Sequence, residues 1–212
     1  MNTKAAPTRR AIVNVIAAGL VLGGGYMVYD GYQNPTYKPA PMPRHEFEVV
    51  DPTTEPSASV KPVMEPSTVV IPALGVHAGL TNERSSGGLM TLPYDLTKVG
   101  LHTQTAPLAA TEGSTVLAGH VNSNGVNGAL YRLFEGEPGM VAWTMDADGA
   151  TRQWVMASLK AYRKVALPQT IFRLDGPREL TVVTCGGGVV TGPYGSHYTD
   201  NLVATFVPVP AA

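Results

Sequence analysis

The pattern that most constrains this chain is a series of short β-favouring runs separated by turn residues, which extends from Thr68 to about residue 208. Two of these runs, near 140–146 and 151–162, flank the turn sequence Asp146-Ala147-Asp148-Gly149. Many short strands with regularly spaced turns and little helix are typical of a closed β-barrel. The sequence therefore predicts a mainly β domain, a closed or nearly closed barrel of about 145 residues with short helices. Its predicted elements include a loop-rich region at 81–111, a short helix at 128–134 and closing strands at 178–185 and 201–208.

Composition narrows the classes of function. The net charge is −1, so no electrostatic feature favours nucleic-acid binding. The single cysteine excludes an intrachain disulfide and a four-ligand zinc site of the common cysteine-based kind. No phosphate-binding loop, nucleotide motif or metal-ligand spacing is present, so we expect no cofactor and no metal.

The first 29 residues have the pattern of a membrane anchor. Residues 1–10 contain three basic residues and no acidic one, and residues 11–29 contain no charge. Nineteen residues of helix span roughly 28 Å, enough to cross a hydrocarbon core. We expect 1–10 to be a cytoplasmic tail and 11–29 a single-pass transmembrane signal anchor in the cell membrane, which places the rest of the chain outside the cytoplasm. A cleaved signal peptide is the alternative, although no Ala-x-Ala-like site follows closely.

Residues 30–67 have a different composition. They contain eight prolines, six acidic residues and three basic residues, and show almost no apolar periodicity. Such a segment is typical of an extended linker with polyproline II character. We therefore divide the extracytoplasmic part into a Pro-rich linker, 30–67, and a barrel domain, 68–212.

The only cysteine lies in the run Thr181-Val182-Val183-Thr184-Cys185-Gly186-Gly187-Gly188. Alternation along a strand puts Val183 and Cys185 on one face. Because three glycines follow, we expect the thiol at the end of a strand, where another chain has room to approach. A buried cysteine that acts as a small apolar residue is the alternative.

A thiol attacks only as thiolate, so a catalytic cysteine requires a nearby base or cation. Among the five histidines, His120 stands out because it ends the apolar run 114–121 and precedes a turn. His45 lies in the linker, His77 in a short strand, and His102 and His197 in predicted loops. If the ends of two strands share one rim of the barrel, His120 and Cys185 could meet as acid/base and nucleophile. Periodicity alone leaves that meeting open.

These residues resemble the histidine and cysteine motifs of sortases. The resemblance covers about residues 68–208 and is strongest to class E and F sortases of high-GC Gram-positive bacteria. The matching segments, in order, are Ile71-Pro72-Ala73-Leu74-Gly75-Val76, Leu117-Ala118-Gly119-His120, Gly128-Ala129-Leu130-Tyr131-Arg132-Leu133, Thr181-Val182-Val183-Thr184-Cys185-Gly186-Gly187 and Tyr198-Thr199-Asp200-Asn201-Leu202-Val203.

The resemblance implies an eight-stranded barrel and a cysteine transpeptidase of the cell wall. Cys185 would be the nucleophile and His120 the general acid/base, while Thr184 is a candidate for positioning the substrate. The implied partners are surface proteins with a C-terminal sorting signal of the Leu-Pro-x-Thr-Gly kind, and an amine acceptor such as a peptidoglycan precursor or a pilin lysine. The enzyme would pass through a thioacyl intermediate.

One position departs from the family pattern. Sortases carry an arginine on the strand after the cysteine, which is credited with holding substrate and oxyanion, and here that position is Thr199. Another cation (Arg84, Arg132, Arg163 or Arg173) could reach the site, or the enzyme could be slow. The third alternative is a catalytically impaired homologue that acts as a peptide-binding surface module. A different class, the L,D-transpeptidases, fits less well because Val183 and Thr184 precede the cysteine.

Overall fold

The computed structural model of the chain describes residues 60–86, 89–123, 125–192 and 195–209. The predicted cytoplasmic tail, the predicted anchor 11–29 and most of the predicted linker lie outside these residues. Within the described part, the structure contains no helix with the length and apolar character needed to cross a bilayer. The described residues divide into two compact units: a larger one from 60 to 188 and 198 to 209, and a smaller one of 189–192 and 195–197 in the last two strands.

The described residues form twelve strands and four short 3-10 helices. The strands are β1 Thr68–Ile71, β2 Val76–Glu83, β3 Ser85–Ser86, β4 Leu89–Met90, β5 Val99–His102, β6 Ser114–Ala118, β7 Asn122–Ser123, β8 Val126–Asn127, β9 Val141–Met145, β10 Thr151–Arg163, β11 Glu179–Gly192 and β12 Gly195–Pro208. The 3-10 helices are Pro72–Leu74, Leu133–Glu135, Lys164–Ala166 and Gln169–Phe172.

Eight strands close into a barrel, which confirms the predicted mainly β fold class. Their order around the barrel is β1-β2-β5-β6-β11-β12-β10-β9, and β9 pairs with β1 to complete the ring. Two neighbouring pairs, β2 with β5 and β6 with β11, are parallel. The short strands form two separate two-stranded sheets, β3 with β4 and β7 with β8.

The barrel interior is filled by apolar side chains from all eight strands. The bulkiest members are fully buried and include Ile71, Leu117, Trp154, Leu159 and Phe206. Because side chains alternate along a strand, the intervening residues point outward. On β6 and β11 these outward residues are also buried, in a second cluster that contains Val116, Ala118, Ile171, Val183 and Val203.

The second cluster shows why β6 is buried on both faces. All five of its residues, Ser114–Ala118, are buried. The 3-10 helix Gln169–Phe172 contributes Ile171 to this cluster, so the connection between β10 and β11 covers the outer face here. Strands buried on both faces read as continuous apolar runs instead of alternating ones.

Several sequence-based boundaries need correction. The region 81–111, predicted to be mostly loop, contains β3, β4 and β5. The last two strands are longer than the predicted 178–185 and 201–208, because their Gly- and Thr-rich portions pair instead of turning. The segment 128–134, predicted as a short helix, forms turns followed by the 3-10 helix Leu133–Glu135.

Candidate active site

A groove of about 660 Å³ lies on the outer face of the barrel, beside the second apolar cluster. Its apolar lining consists of Met90, Leu92, Ala118, Val165, Leu167, Phe172 and Val183. Its polar lining consists of Ser85, His102, Gln104, Lys164, Gln169, Thr184, Cys185 and Asn201. A concave, largely apolar surface with a few polar groups is typical of a ligand site.

Cys185 lies within β11, is half-buried and lines this groove. Val183, two residues earlier, lines the same groove, whereas Val182 packs in the barrel interior. The predicted alternation of side chains is therefore confirmed. The prediction that the thiol sits at the end of a strand is wrong, because β11 continues for seven residues to Gly192. What ends near Cys185 is the pairing of β11 with β6.

The parallel register of β6 and β11 brings the cysteine and histidine motifs side by side. Val182 pairs with Leu117, and Val183 pairs with Ala118. The match continues beyond β6, because the Gly119 amide donates to the Val183 carbonyl oxygen (3.1 Å). In addition, the hydroxyl of Thr184 donates to the Gly119 carbonyl oxygen (2.8 Å). Cys185 and His120 are the next residues along these two segments; Cys185 lines the groove, and His120 is not among its lining residues.

His120 is half-buried, two residues beyond the end of β6. Its Nε2 lies 3.0 Å from the carbonyl oxygen of Pro93. Since a carbonyl oxygen only accepts hydrogen bonds, Nε2 carries the hydrogen in this contact and orients the ring. The other nitrogen, Nδ1, is then the atom that can take up or release a proton.

The remaining histidines are placed as follows. His45 lies outside the described residues. His77 lies in a strand, β2, as predicted, and is exposed. The prediction of a loop is wrong for His102 and His197, which belong to β5 and β12. His102 is only 4% exposed and lines the groove, and its Nε2 lies 2.8 Å from the Ser85 hydroxyl. Burial lowers the pKa of His102 below its usual value of 6.5.

Thr199, at the position where sortases carry arginine, has its hydroxyl engaged within the protein. The hydroxyl donates to the Asp200 carboxylate (2.6 Å) and accepts from the Gly188 amide (3.1 Å). A hydroxyl has only one hydrogen to donate, so this arrangement leaves none for a substrate. Gly187 adopts φ 76°, and a side chain there would collide with the Asp200 carboxylate, so the turn of backbone beside Asp200 requires glycine.

None of the four arginines considered as replacement cations lines the groove. Three of them have carboxylate partners: Arg132 pairs with Glu135, Arg173 with Glu179 (2.9 Å), and Arg163 with Asp200 (3.6 Å). Arg84 is exposed and precedes Ser85. The cationic side chain that does line the groove is Lys164, which follows β10 directly.

Sequence reasoning did not select Lys164, Ser85 or His102 for the site. Lys164 lies 21 residues before the cysteine in the sequence, in a connection whose path over β6 and β11 no local pattern reveals. Ser85 and His102 come from a region without clear alternation. Across the part of the chain that the structure describes, no three His, Cys, Asp or Glu side chains lie close enough to hold a metal ion.

Comparison with known proteins gives a family match. The model of the Sortase domain family matches residues 69–209. A search of curated protein sequences finds no match to the chain.

Among solved structures, sortase C1 of Streptococcus agalactiae is similar at 18% identity and a TM-score of 0.52, over 69% of this chain and 68% of that one. Sortase C-1 of Actinomyces oris has 20% identity and a TM-score of 0.52, over 89% of this chain and 99% of that one. Sortase C of Streptococcus pneumoniae has 19% identity and a TM-score of 0.53, over 86% and 85%. These likenesses support the barrel fold.

Proposed function

Since this chain belongs to the sortase family of cysteine transpeptidases, we propose that it is a membrane-anchored transpeptidase of the cell surface. It cleaves a C-terminal sorting signal of the Leu-Pro-x-Thr-Gly kind through a thioacyl-enzyme and transfers the protein to an amine. The acceptor is a peptidoglycan precursor or a pilin lysine. The assignment to class E or F is part of the proposal, since the structural neighbours described above are of class C.

The observation that carries the proposal is the shared register of β6 and β11 beside the groove. Val183 pairs with Ala118, and the Thr184–Gly119 hydrogen bond extends the match by one residue. The next residues along are the proposed nucleophile and the proposed acid/base. The groove that the thiol lines has a volume of about 660 Å³ and a largely apolar lining, which is in the range of ligand pockets.

In the first half-reaction, His120 holds the proton of the thiol and Cys185 attacks as thiolate. The new S–C bond forms at the carbonyl carbon of the threonine, and the C=O π electrons move to oxygen. When the oxyanion collapses, the C–N bond to glycine breaks and the leaving amine takes the proton from His120 Nδ1. The products are a thioester on Cys185 and a free amine fragment.

The second half-reaction reverses these roles. The incoming amine attacks the thioester carbonyl and gives its proton to the neutral His120 ring. Collapse of this second oxyanion breaks the C–S bond and returns the thiolate. Proton and charge therefore balance over one cycle without a cofactor, as expected for an exchange of one amide bond for another.

The proposed location follows from the uncharged segment 11–29 and the proline-rich linker. A helix over 11–29 would fix the chain in the membrane with its N-terminus in the cytoplasm. The linker would then hold the barrel at the level of the wall, where sorting signals and amine acceptors meet.

The experiment uses the full-length chain in detergent. Incubation with a panel of sorting-signal pentapeptides and an amine should give an adduct on Cys185, detected by intact mass and released by hydroxylamine. Cys185→Ala should give none, and His120→Gln should slow product formation by about 10²–10⁴-fold. Absence of any Cys185-dependent adduct or product across the panel would contradict an enzymatic role.

The second candidate function is a non-catalytic surface module that binds peptides. The engaged hydroxyl of Thr199 favours it, since the family arginine is absent and its replacement has no hydrogen left to donate. Thr199→Arg separates the two candidates. A large gain in turnover would indicate an otherwise competent enzyme, whereas measurable peptide binding with no turnover in either form would support the module.

A further inference from the structure

Lys164 is the cationic side chain of the groove. Its side chain is exposed at the groove wall, in the 3-10 helix Lys164–Ala166 that follows β10. The groove has no Asp or Glu in its lining. His102 also lines it, but its lowered pKa keeps that ring neutral near pH 7. Among the described residues that line the groove, Lys164 is therefore the cationic one.

A second positive group, Arg163, is paired with the carboxylate next to Thr199. Arg163 lies opposite Asp200 in the register of β10 and β12, and its Nε is 3.6 Å from Oδ1 of that carboxylate. Asp200 in turn accepts the hydroxyl hydrogen of Thr199. Asp200 therefore accepts from Thr199 and pairs with Arg163, and among the described β12 residues the polar side chain that lines the groove is the neutral amide of Asn201.

We propose that Lys164 supplies the positive charge that the family arginine would otherwise bring to the reacting carbonyl. This inference rests on the proposed function. The ammonium group stabilises the thiolate of Cys185 and the oxyanion formed when the thiolate adds to the peptide carbonyl. Lysine suits this task because its charge is compact and its four-carbon stem lets the group follow the substrate oxygen. A cation aimed at charge that develops in the transition state raises kcat.

The first test needs no turnover and exploits the single cysteine. The rates at which Cys185 reacts with a sulfonate-bearing and a trimethylammonium-bearing methanethiosulfonate report the local potential. If the ammonium group acts at the thiol, its loss should change each rate by about threefold in opposite directions, so Lys164→Met should lower the anion-to-cation rate ratio by about sevenfold. Lys61→Met, an exposed lysine that does not line the groove, is the matched control and should leave the ratio unchanged.

The second test measures transpeptidation by the full chain. Lys164→Met should lower kcat by about 10²-fold with little change in KM, and Lys164→Arg should retain most of the activity. Thr199→Arg should restore turnover in the Lys164→Met background, because the charge returns from the position the family uses.

Two results would overturn the inference while leaving the proposed function intact. In the first, Lys164→Met leaves kcat at the wild-type value, whereas Asn201→Ala lowers it. The other is a reagent ratio that responds to Arg163→Met and not to Lys164→Met. A wild-type chain that forms no adduct at all would contradict the proposed function, and the reagent ratio would still decide whether Lys164 sets the potential at Cys185.

Discussion

At the scale of single residues, His102 shows how burial beside the groove changes the pKa of a histidine. Its ring is 4% exposed, lies 5.9 Å from the Phe172 ring, and has Nε2 within 2.8 Å of the Ser85 hydroxyl. Nδ1 is buried, and no described group bonds to it. Loss of hydration disfavours the charged ring, so the pKa of His102 lies below its usual value of 6.5.

This placement predicts a pH-dependent stability. Below pH 6.5 the unfolded chain binds a proton at this histidine that the native chain does not, so the free energy of unfolding falls as pH drops from 6.5 toward the lowered pKa. His102→Gln should weaken that dependence, as measured by urea unfolding at about pH 5 and about pH 7.5. His77→Gln, at an exposed site, is the control. An unchanged pH dependence in His102→Gln would refute this reading.

At the scale of elements, the parallel pair of β6 and β11 determines what meets at the groove. β-Branched residues occupy both faces of the two strands, and both faces are buried. Two buried hydroxyl contacts tie the pair: Ser114 with Thr181 (2.8 Å) at one end, and Thr184 with the Gly119 carbonyl (2.8 Å) at the other. The second tie lies beside His120 and Cys185.

Thr184→Val separates stability from activity. Loss of the hydroxyl leaves the buried Gly119 carbonyl without this donor, which should lower the free energy of unfolding by about 1–3 kcal/mol. Since the bond fixes the segment that carries His120, kcat should fall as well. Thr181→Val, in the same strand, should destabilise by a similar amount with kcat unchanged. Equal effects of the two variants on kcat would show that the Thr184 tie has no special part in the site.

At the scale of the whole molecule, local sequence patterns predict a closed barrel but not which strands lie next to one another in it. Short β-favouring runs and turn residues predicted the strands, since those features are local. The parallel pairing of segments 65 residues apart is not local, and only the family resemblance indicated that Cys185 and His120 belong together. The region around His102 was misread because a strand buried against a covering loop loses the alternation that identifies it.

Local sequence patterns also fail to predict that Lys164 lines the groove. Its place in the groove lining follows from the path of the connection between β10 and β11, which crosses the outer face and contributes Ile171 to the second cluster. Nothing in the residues next to Lys164 predicts that path. The glycines after Cys185 predict a strand end, whereas Gly187 allows β11 to continue past the Asp200 carboxylate.

The most direct measurement of the central claim is a cross-link between the two motifs. In His120→Cys the two cysteines should lie side by side on neighbouring segments of the same chain. Neighbouring strands are about 4.8 Å apart, which falls within the Cα separation of about 4.4–6.8 Å that disulfides require. Mild oxidation of the folded variant should remove both free thiols in a monomer, as seen by intact mass after alkylation. If both thiols stay open to alkylation while the protein remains folded, the two segments do not meet as described.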